Sequence, residues 1–492
     1  MRIVNVLLLA AVVSSTASFA QTAAPHAPLS PQQLQAIDAY VTTESARLHI
    51  PGVAVGIYSR GNILLAKGYG LSNVELNVPV KPETIFESGS VGKQFTATAI
   101  MLLAQDGKLS LDDSITKYFP DAPQTWKPIL IRNLLSHTSG LADYTTPAVS
   151  GPTGPLYLRL DFTEDQLVTK LEALPVEWAP GEKWAYSNTN YVLLGILIHH
   201  VSGVPYADFL QQRIFVPLGM TATRLISEAD IIPNRAAGYD TGAGDQLRNQ
   251  EWVSPTFNST GDGSLYLNVL DMAKWDAAFY STHLLNQSSL DRMLTVYPLN
   301  DGKPNPNQYG FGWFIRQRNN HKVIEHNGAW QGFTCDISRY PDDNLTVVVL
   351  TNLDAAHSSP DLMAHVIAGL VSPPLAPAKL SAIPDTQPAI AANLTKVLDH
   401  LASGQDVLPF FSSTFAHTLT PAATAAAMRV IFGLWPGGTI TLVKRLTQPA
   451  TTTPLISLFR LTKGDRALMI LVFVDPDGKI SNFRFLPNRE YE

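Results

Sequence analysis

One stretch constrains this chain more than any other: Phe86-Glu87-Ser88-Gly89-Ser90-Val91-Gly92-Lys93-Gln94-Phe95-Thr96-Ala97 places a serine three residues before a lysine at the mouth of an apolar run. Apolar residues follow at Phe95, Ile100, Leu102 and Leu103, with alanines between, until Asp106-Gly107 ends the pattern. That spacing predicts a mostly buried helix with a glycine stop. Positions i and i+3 share one helix face, so Lys93 would stand one turn above Ser90, within reach of its hydroxyl. The free N–H groups of a first turn and the positive end of the helix dipole favour negative charge developing there. A serine hydroxyl is a poor nucleophile until a base takes its proton. A lysine buried beside it would have a lowered pKa and could be that base. A serine at a helix start is more often only an N-cap, so the catalytic reading of this pair depends on partners downstream.

Two later segments carry suitable chemistry. Tyr186-Ser187-Asn188 sits in a turn ahead of an apolar helical run from Tyr191 to Val201. A tyrosine with a lowered pKa beside a cationic lysine can act as general base and later as the acid that protonates a leaving group. The asparagine amide can hold a substrate carbonyl or the lysine. The plainer alternative is a core tyrosine followed by a helix-capping asparagine. His326-Asn327-Gly328-Ala329 follows the β-like pair Val323-Ile324. A glycine there lets a ligand backbone lie against the strand edge, and the N–H of Ala329 could complete an oxyanion hole with the N–H of Ser90. The plainer alternative is a strand histidine before a turn.

Taken in order, Ser90-x-x-Lys93, Tyr186-x-Asn188 and His326-x-Gly328 resemble the three motifs of the serine β-lactamase and penicillin-binding protein superfamily. The tyrosine in the middle motif makes the chain similar to the class C β-lactamase, DD-peptidase and esterase branch. Flanking text is similar as well: Gly107 to Asp113, Leu134 to Gly140, Pro180-Gly181 and Tyr309-Gly310-Phe311-Gly312-Trp313. The resemblance covers about residues 31 to 372. It implies Ser90 as the acylated nucleophile, Lys93 as the group that eases its deprotonation, Tyr186 as proton carrier and Asn188 as a substrate-orienting amide. His326, Gly328 and Ala329 would line the substrate along a strand. His326 stands where typical β-lactamases of this branch have a lysine. Histidine is largely neutral at pH 7, so the anchor for a substrate carboxylate is weaker here and β-lactam hydrolysis is expected to be poor. Sensor-type members of the same fold that acylate without turnover remain the alternative. The implied fold is of the mixed α/β (α+β) class, β-lactamase/transpeptidase-like, with an antiparallel sheet, flanking helices and a helical layer.

The rest of the chain frames this reading. Met1-Arg2, the apolar run Ile3 to Val13 and Ser18-Phe19-Ala20 read as a secretory signal peptide over residues 1–20, which predicts a periplasmic or secreted protein. The apolar run is too short for a spanning helix of about 20 residues, and no later stretch is long and apolar enough, so no transmembrane segment is expected in the mature chain. Residues 21–372 would form the hydrolase-like unit, with strands at Gly52 to Tyr58, Ile63 to Gly70, Tyr309 to Ile315, Lys322 to Tyr340 (bent near Gly328) and Leu345 to Leu350. Prolines mark residues 373–388 as a linker, and residues 389–492 read as a small α+β accessory unit resembling NTF2-like domains. With 35 basic and 41 acidic residues and a net charge of −6, the chain has no basic stripe, so no nucleic-acid partner is expected. The expected partner is a small-molecule or peptide substrate.

Rival chemistries are weaker. No G-x-S-x-G elbow is present. Cys335 is the single cysteine, so no intrachain disulfide can form. His199-His200 is the best local metal candidate, but no acidic or histidine partner lies at ligand spacing and the pair reads as structural. No metal or other cofactor is expected. His137 reads as part of a structural turn.

Overall fold

Six long strands build one antiparallel sheet from both ends of the segment 52–351. They are β1 (Gly52–Ser59), β2 (Asn62–Asn73), β3 (Phe314–Arg318), β4 (His321–Trp330), β5 (Phe333–Tyr340) and β6 (Leu345–Thr351). The computed structural model describes residues 26–241, 246–355, 358–416, 427, 430–431, 433–446, 455–464, 466–487 and 491. The signal-peptide reading of residues 1–20 lies outside them.

Across the sheet the order is the short strand Val78–Pro79, then β2, β1, β6, β5, β4 and β3. The earliest and latest strands meet where β1 pairs antiparallel with β6, from Val53 opposite Thr351 to Tyr58 opposite Thr346. Strand alternation then decides what each face buries. Val53, Val55 and Ile57 point into a core with helices α1 (Pro31–Leu48) and α5 (Pro360–Val371). Ala54 and Tyr58 point the other way, into a larger core with α2 (Lys93–Gln105), α3 (Asn188–Ser202) and α4 (Val269–Ala278). Both faces are covered, which is why β1 and β6 read as continuous apolar runs and are buried throughout.

The α2 helix is the centre of the second core. Lys93 to Leu103 are all buried, and Phe95 stacks on Trp275 with ring centres 4.1 Å apart. Truncating a fully buried residue such as Ile100 to alanine would cost about 2–5 kcal/mol. The serine does not open α2 directly. Gly89–Gly92 form a 3₁₀ turn that runs into it. Side chains at i and i+3 eclipse in such a turn, which brings Lys93 closer over Ser90 than an α-helix would.

Two expectations need correction. Tyr309 to Phe311 and Trp313 are not in a strand; the segment folds back on itself, with Gly310 N–H donating to Trp313 O at 2.8 Å, and β3 begins at Phe314. Aromatic-glycine alternation imitates a strand, but Gly312 takes φ +78°, and Tyr309, Phe311 and Trp313 are all anchored in the interior. The chain also does not bend at Gly328. The β4–β5 turn falls at Gln331-Gly332, and Gly328 sits within a regular ladder opposite Cys335.

Beyond α5 a single turn at Pro373–Leu375 is followed by α6 (Pro388–Ser403), whose buried stripe is Ile390, Leu394, Val397, Leu398 and Leu401. The stripe packs on an antiparallel meander of β7 (Thr439–Leu446), β8 (Leu455–Lys463), β9 (Arg466–Val474) and β10 (Ile480–Pro487). After α6 the chain makes a short turn at Leu408–Phe410 and a helical turn at Ser413–Ala416. Among the described residues no single helix is long and apolar enough to cross a membrane.

Candidate active site

Ser90 and Lys93 meet as their three-residue spacing predicts, and Asn188 joins them from 95 residues away. The Lys93 ammonium donates to Ser90 Oγ at 3.0 Å, to Asn188 Oδ1 at 2.8 Å and to the main-chain oxygen of Asp262 at 2.5 Å. These three bonds use all three donors of the ammonium. Burial pulls the Lys93 pKa down to about 8, against the pull of Asp262 and Asp143, whose charges favour the ammonium. A neutral amine is therefore accessible near neutral pH, which a base for Ser90 requires.

Backbone contact joins this helical side to the sheet. Gly89 has φ +45°, and a side chain on it would collide with Ala329 N at 2.4 Å. A side chain on Gly328 would meet Ser88 O at 2.2 Å. Glycine at these two positions lets the serine turn lie directly on β4. Ser90 and Ala329 then line one open cavity of about 210 Å³ with Thr145, Asn188 and Asp262. Phe257 and Trp330 supply its aromatic lining.

Tyr186 reaches the same centre, with its ring 5.0 Å from the Lys93 ammonium. Its hydroxyl is buried and makes no hydrogen bond among the described residues. The expected lowering of its pKa is not what the surroundings produce. Burial pushes the phenol well above its usual value, and the Ser90 hydroxyl works the other way without reaching hydrogen-bond geometry. The Tyr186 phenol therefore keeps its proton near neutral pH, and Lys93 is the group beside Ser90 whose pKa lies closest to neutrality.

His326 departs further from expectation. It is 1% exposed and does not line the cavity. Its Nδ1 lies 2.6 Å from Asn327 O, so that nitrogen carries the proton, and its Nε2 then accepts from the Tyr309 hydroxyl at 3.0 Å. Burial, with Lys93 adding to it, holds the ring neutral with a pKa down to about 3. Its ring is turned into the interior, where it braces the strand and forms no part of the cavity lining. Gly328 likewise works through close packing, while Asn327 and Ala329 are the exposed positions of that strand.

A family profile described as Beta-lactamase matches residues 37–371. The chain belongs to the beta-lactamase family. Similar relatives are penicillin-binding protein 4* of Bacillus subtilis (strain 168), 31% identical over 305 residues, and Protein flp of Staphylococcus aureus (strain N315), 29% identical over 351 residues. The matches cover 59% and 69% of this chain, and in both cases 66% of the relative, just under two thirds of its length. Among solved structures, the octameric penicillin-binding protein homologue from Pyrococcus abyssi superposes with TM-score 0.62 at 23% identity, covering 93% of this chain and 98% of that one. A D-stereospecific amidohydrolase from Streptomyces sp. gives 0.57 at 24%, covering 69% and 97%. The structural likenesses establish a β-lactamase/transpeptidase fold, and the family match places the chain in a serine-hydrolase superfamily.

Within this beta-lactamase-family site, three residues escaped the sequence reading. The Asp143 carboxylate accepts from the Asn188 main-chain N–H at 3.1 Å, at the first turn of α3, and from the Asn188 amide at 3.3 Å. Its position at a helix N-terminus is electrostatically favourable. It also accepts from the Thr145 hydroxyl at 2.9 Å, so Thr145 and Asn188 are held as one unit. Asp262 accepts from the Tyr144 hydroxyl at 2.9 Å, and burial raises its pKa while Lys93 opposes the rise. The available signals were the acid just after the Leu134 to Gly140 turn and the acid between two glycines at Gly261-Asp262-Gly263.

His137 is structural as expected. It adopts φ +57°, accepts the Ser187 N–H on Nδ1 at 3.3 Å and packs its ring 4.3 Å from that of Tyr186. His199 and His200 do have an acidic partner: Glu164, 35 residues upstream of His199, lies 3.0 Å from His199 and 3.3 Å from His200. The helix turn brings together what the linear spacing hid. Among the described residues no group of three or more histidine, cysteine or acidic side chains is arranged to hold a metal ion.

Proposed function

We propose that this chain is an exported serine hydrolase that forms an acyl-enzyme on Ser90 and acts on amides or esters, of DD-peptidase, D-aminopeptidase or esterase type. The observation that carries the reading is the three-way clamp on Lys93, which aims a buried, easily neutralised amine at the Ser90 hydroxyl. Lys93 takes the proton of Ser90 as Oγ attacks the carbonyl carbon. The N–H groups of Ser90 and Ala329 receive the oxyanion, each such donor contributing about 3–4 kcal/mol. The proton passes through the Tyr186 hydroxyl to the leaving nitrogen or oxygen. Water then attacks the ester on Ser90, giving its proton back along the same route and releasing the acid.

Substrate lies along β4, whose pairing with β3 ends at Glu325 opposite Phe314 while its pairing with β5 continues to Trp330. The edge from 326 to 330 is open for main-chain hydrogen bonds to a peptide-like ligand. Export rests on the charge and hydropathy pattern of residues 1–20. The test is a substrate panel of stem-peptide, D-amino acid amide, nitrocefin and p-nitrophenyl esters, with intact-mass detection of an acyl group on Ser90. Turnover with a transient adduct that S90A lacks is the expected result. A stable penicillin adduct with no turnover would make the protein a penicillin-binding or sensor-type module, and S90A with near-full activity would overturn the assignment.

A further inference from the structure

We propose that the cleft selects acyl donors carrying a free ammonium group beside the scissile carbonyl, such as small amino-acid amides and esters, with Asp262 as the residue that reads that charge. The inference rests on the hydrolase reading above and narrows it to a substrate class.

Charge at the cleft points this way. The cationic side chain at its floor, Lys93, has all three donors engaged within the protein, and no lysine or arginine is among the residues lining the cavity. The histidine that stands in for a typical lysine is neutral and turned from β4 into the interior. A substrate carboxylate would therefore find no partner and would face the carboxylate of Asp262. An ammonium would find the opposite.

Asp262 is the one carboxylate among the residues lining the cavity. Its hydrogen bond to Lys93 is through the main-chain oxygen, while its side-chain charge favours the Lys93 ammonium. The carboxylate accepts from Tyr144 and interacts with Thr260, and Asp262 is among the residues that line the cavity. That buried charge is balanced by the Lys93 ammonium in the free protein; once Lys93 is neutral, as attack by Ser90 requires, an ammonium on the substrate would take its place as the matching charge. Asp143, by contrast, is engaged by Asn188 and Thr145 and is a positioning residue. The aromatic lining strengthens the preference: Phe257 and Trp330 face the cavity, and Tyr144 stacks on Phe257 at 5.7 Å, and ring faces attract cations. The cavity of about 210 Å³ is smaller than the roughly 300–1,000 Å³ that encloses a drug-sized ligand, so it suits one small residue.

The test compares kcat/KM for D- and L-alanine p-nitroanilide with their N-acetyl and N-succinyl forms at pH 6.5, where the free amine is mainly protonated. The expected order is ammonium over acetyl by at least about tenfold and over the anionic succinyl by more, the size of one matched charge contact. In D262N the ammonium-to-acetyl ratio should fall to within about threefold of unity, and D262E should restore part of it. A wild-type ratio near one, or a ratio unchanged in D262N, overturns the proposal. Should D262N fail to fold, the wild type decides: alanine amide must inhibit p-nitrophenyl acetate turnover at least about tenfold better than N-acetylalanine amide, and equal inhibition overturns the proposal. Ester turnover through Ser90 without ammonium preference would sink this inference alone. Absence of any acylation at Ser90 would sink the hydrolase reading beneath it.

Discussion

The two sides of the cleft are built from different physics. On the helical side, Ser90, Lys93, Asn188, Asp143 and Asp262 form a charged network in which each polar group fixes the next. On the sheet side, His326 is neutral, hydrogen-bonded at both nitrogens and ringed by aromatics, including Phe314 at 5.2 Å and Tyr309 at 5.7 Å between ring centres. What β4 offers the cleft is main chain, through Ala329 and its open edge, with the uncharged indole of Trp330 beside it. The difference separates two tasks. Proton chemistry needs titratable groups with tuned pKa values, and the helical side has them. Under the proposed mechanism, holding an extended ligand and an oxyanion needs rigid N–H groups, and a strand stiffened by a buried, uncharged histidine would provide these without adding charge.

If that division holds, the greatest losses come from the helical side. S90A should abolish acylation, with kcat falling by at least about 10⁴-fold, measured by ester turnover and by the missing mass adduct. K93A should cost about 10²–10⁴-fold through loss of the base. Y186F should be slower by about 10²-fold or more, and its deficit should shrink for p-nitrophenyl esters, whose leaving group needs no proton. An equal deficit for esters and amides would show that Tyr186 acts on attack rather than on departure.

The next effect is a pH shift. Lys93 must be neutral to accept the proton, so kcat/KM should rise with pH through an apparent pKa of about 8. Asp143 stabilises the charged form of Lys93. Removing its charge in D143N should move the rising limb to lower pH, while loosening Asn188 should lower the plateau by up to about 10²-fold. A plateau loss with an unmoved limb would mean that Asp143 only holds Asn188. No limb from His326 is expected between pH 5 and 8, because its pKa is held down to about 3.

The helical side was the more legible one in the sequence, for a physical reason. Ser90 and Lys93 are three residues apart, and a local turn fixes their contact whatever the rest of the chain does. Strands β1, β2 and β6 were readable because alternation and apolar runs are local signals too. Asp143 and Asp262 could not be weighed, because the contacts that define them run 45 residues to Asn188 and 118 residues from Tyr144 to Asp262. The pKa of Tyr186 was misjudged because a neighbouring cation is visible in a motif and the depth of burial is not. His326 was placed along the substrate by its match to the motif position where typical relatives have a lysine. Period-2 alternation left Asn327 and Ala329 exposed and turned His326 inward, where Tyr309, itself misread as part of a strand, takes its free nitrogen.

That last contact gives the smallest predicted effect and the sharpest test of the division. In Y309F the His326 Nε2 loses its donor and becomes an unpaired acceptor in a buried site. The Nδ1 proton stays on Asn327 O, because a carbonyl can only accept, so the ring cannot switch tautomer to compensate. An unsatisfied buried acceptor costs about 1–3 kcal/mol, which should appear as a lower Tm by roughly 2–6 °C. The phenylalanine keeps the ring packing against His137, centred 4.8 Å away, so the Tyr186 environment is preserved. Because His326 neither lines the cavity nor changes charge in the working pH range, kcat/KM and its pH limb should stay within about threefold and a few tenths of a unit of wild type, far inside the span of general acid–base effects. A Y309F protein with unchanged Tm but a strongly shifted pH profile would show the sheet side taking part in proton transfer through Tyr309 and His326, and the two sides would no longer be separable by task.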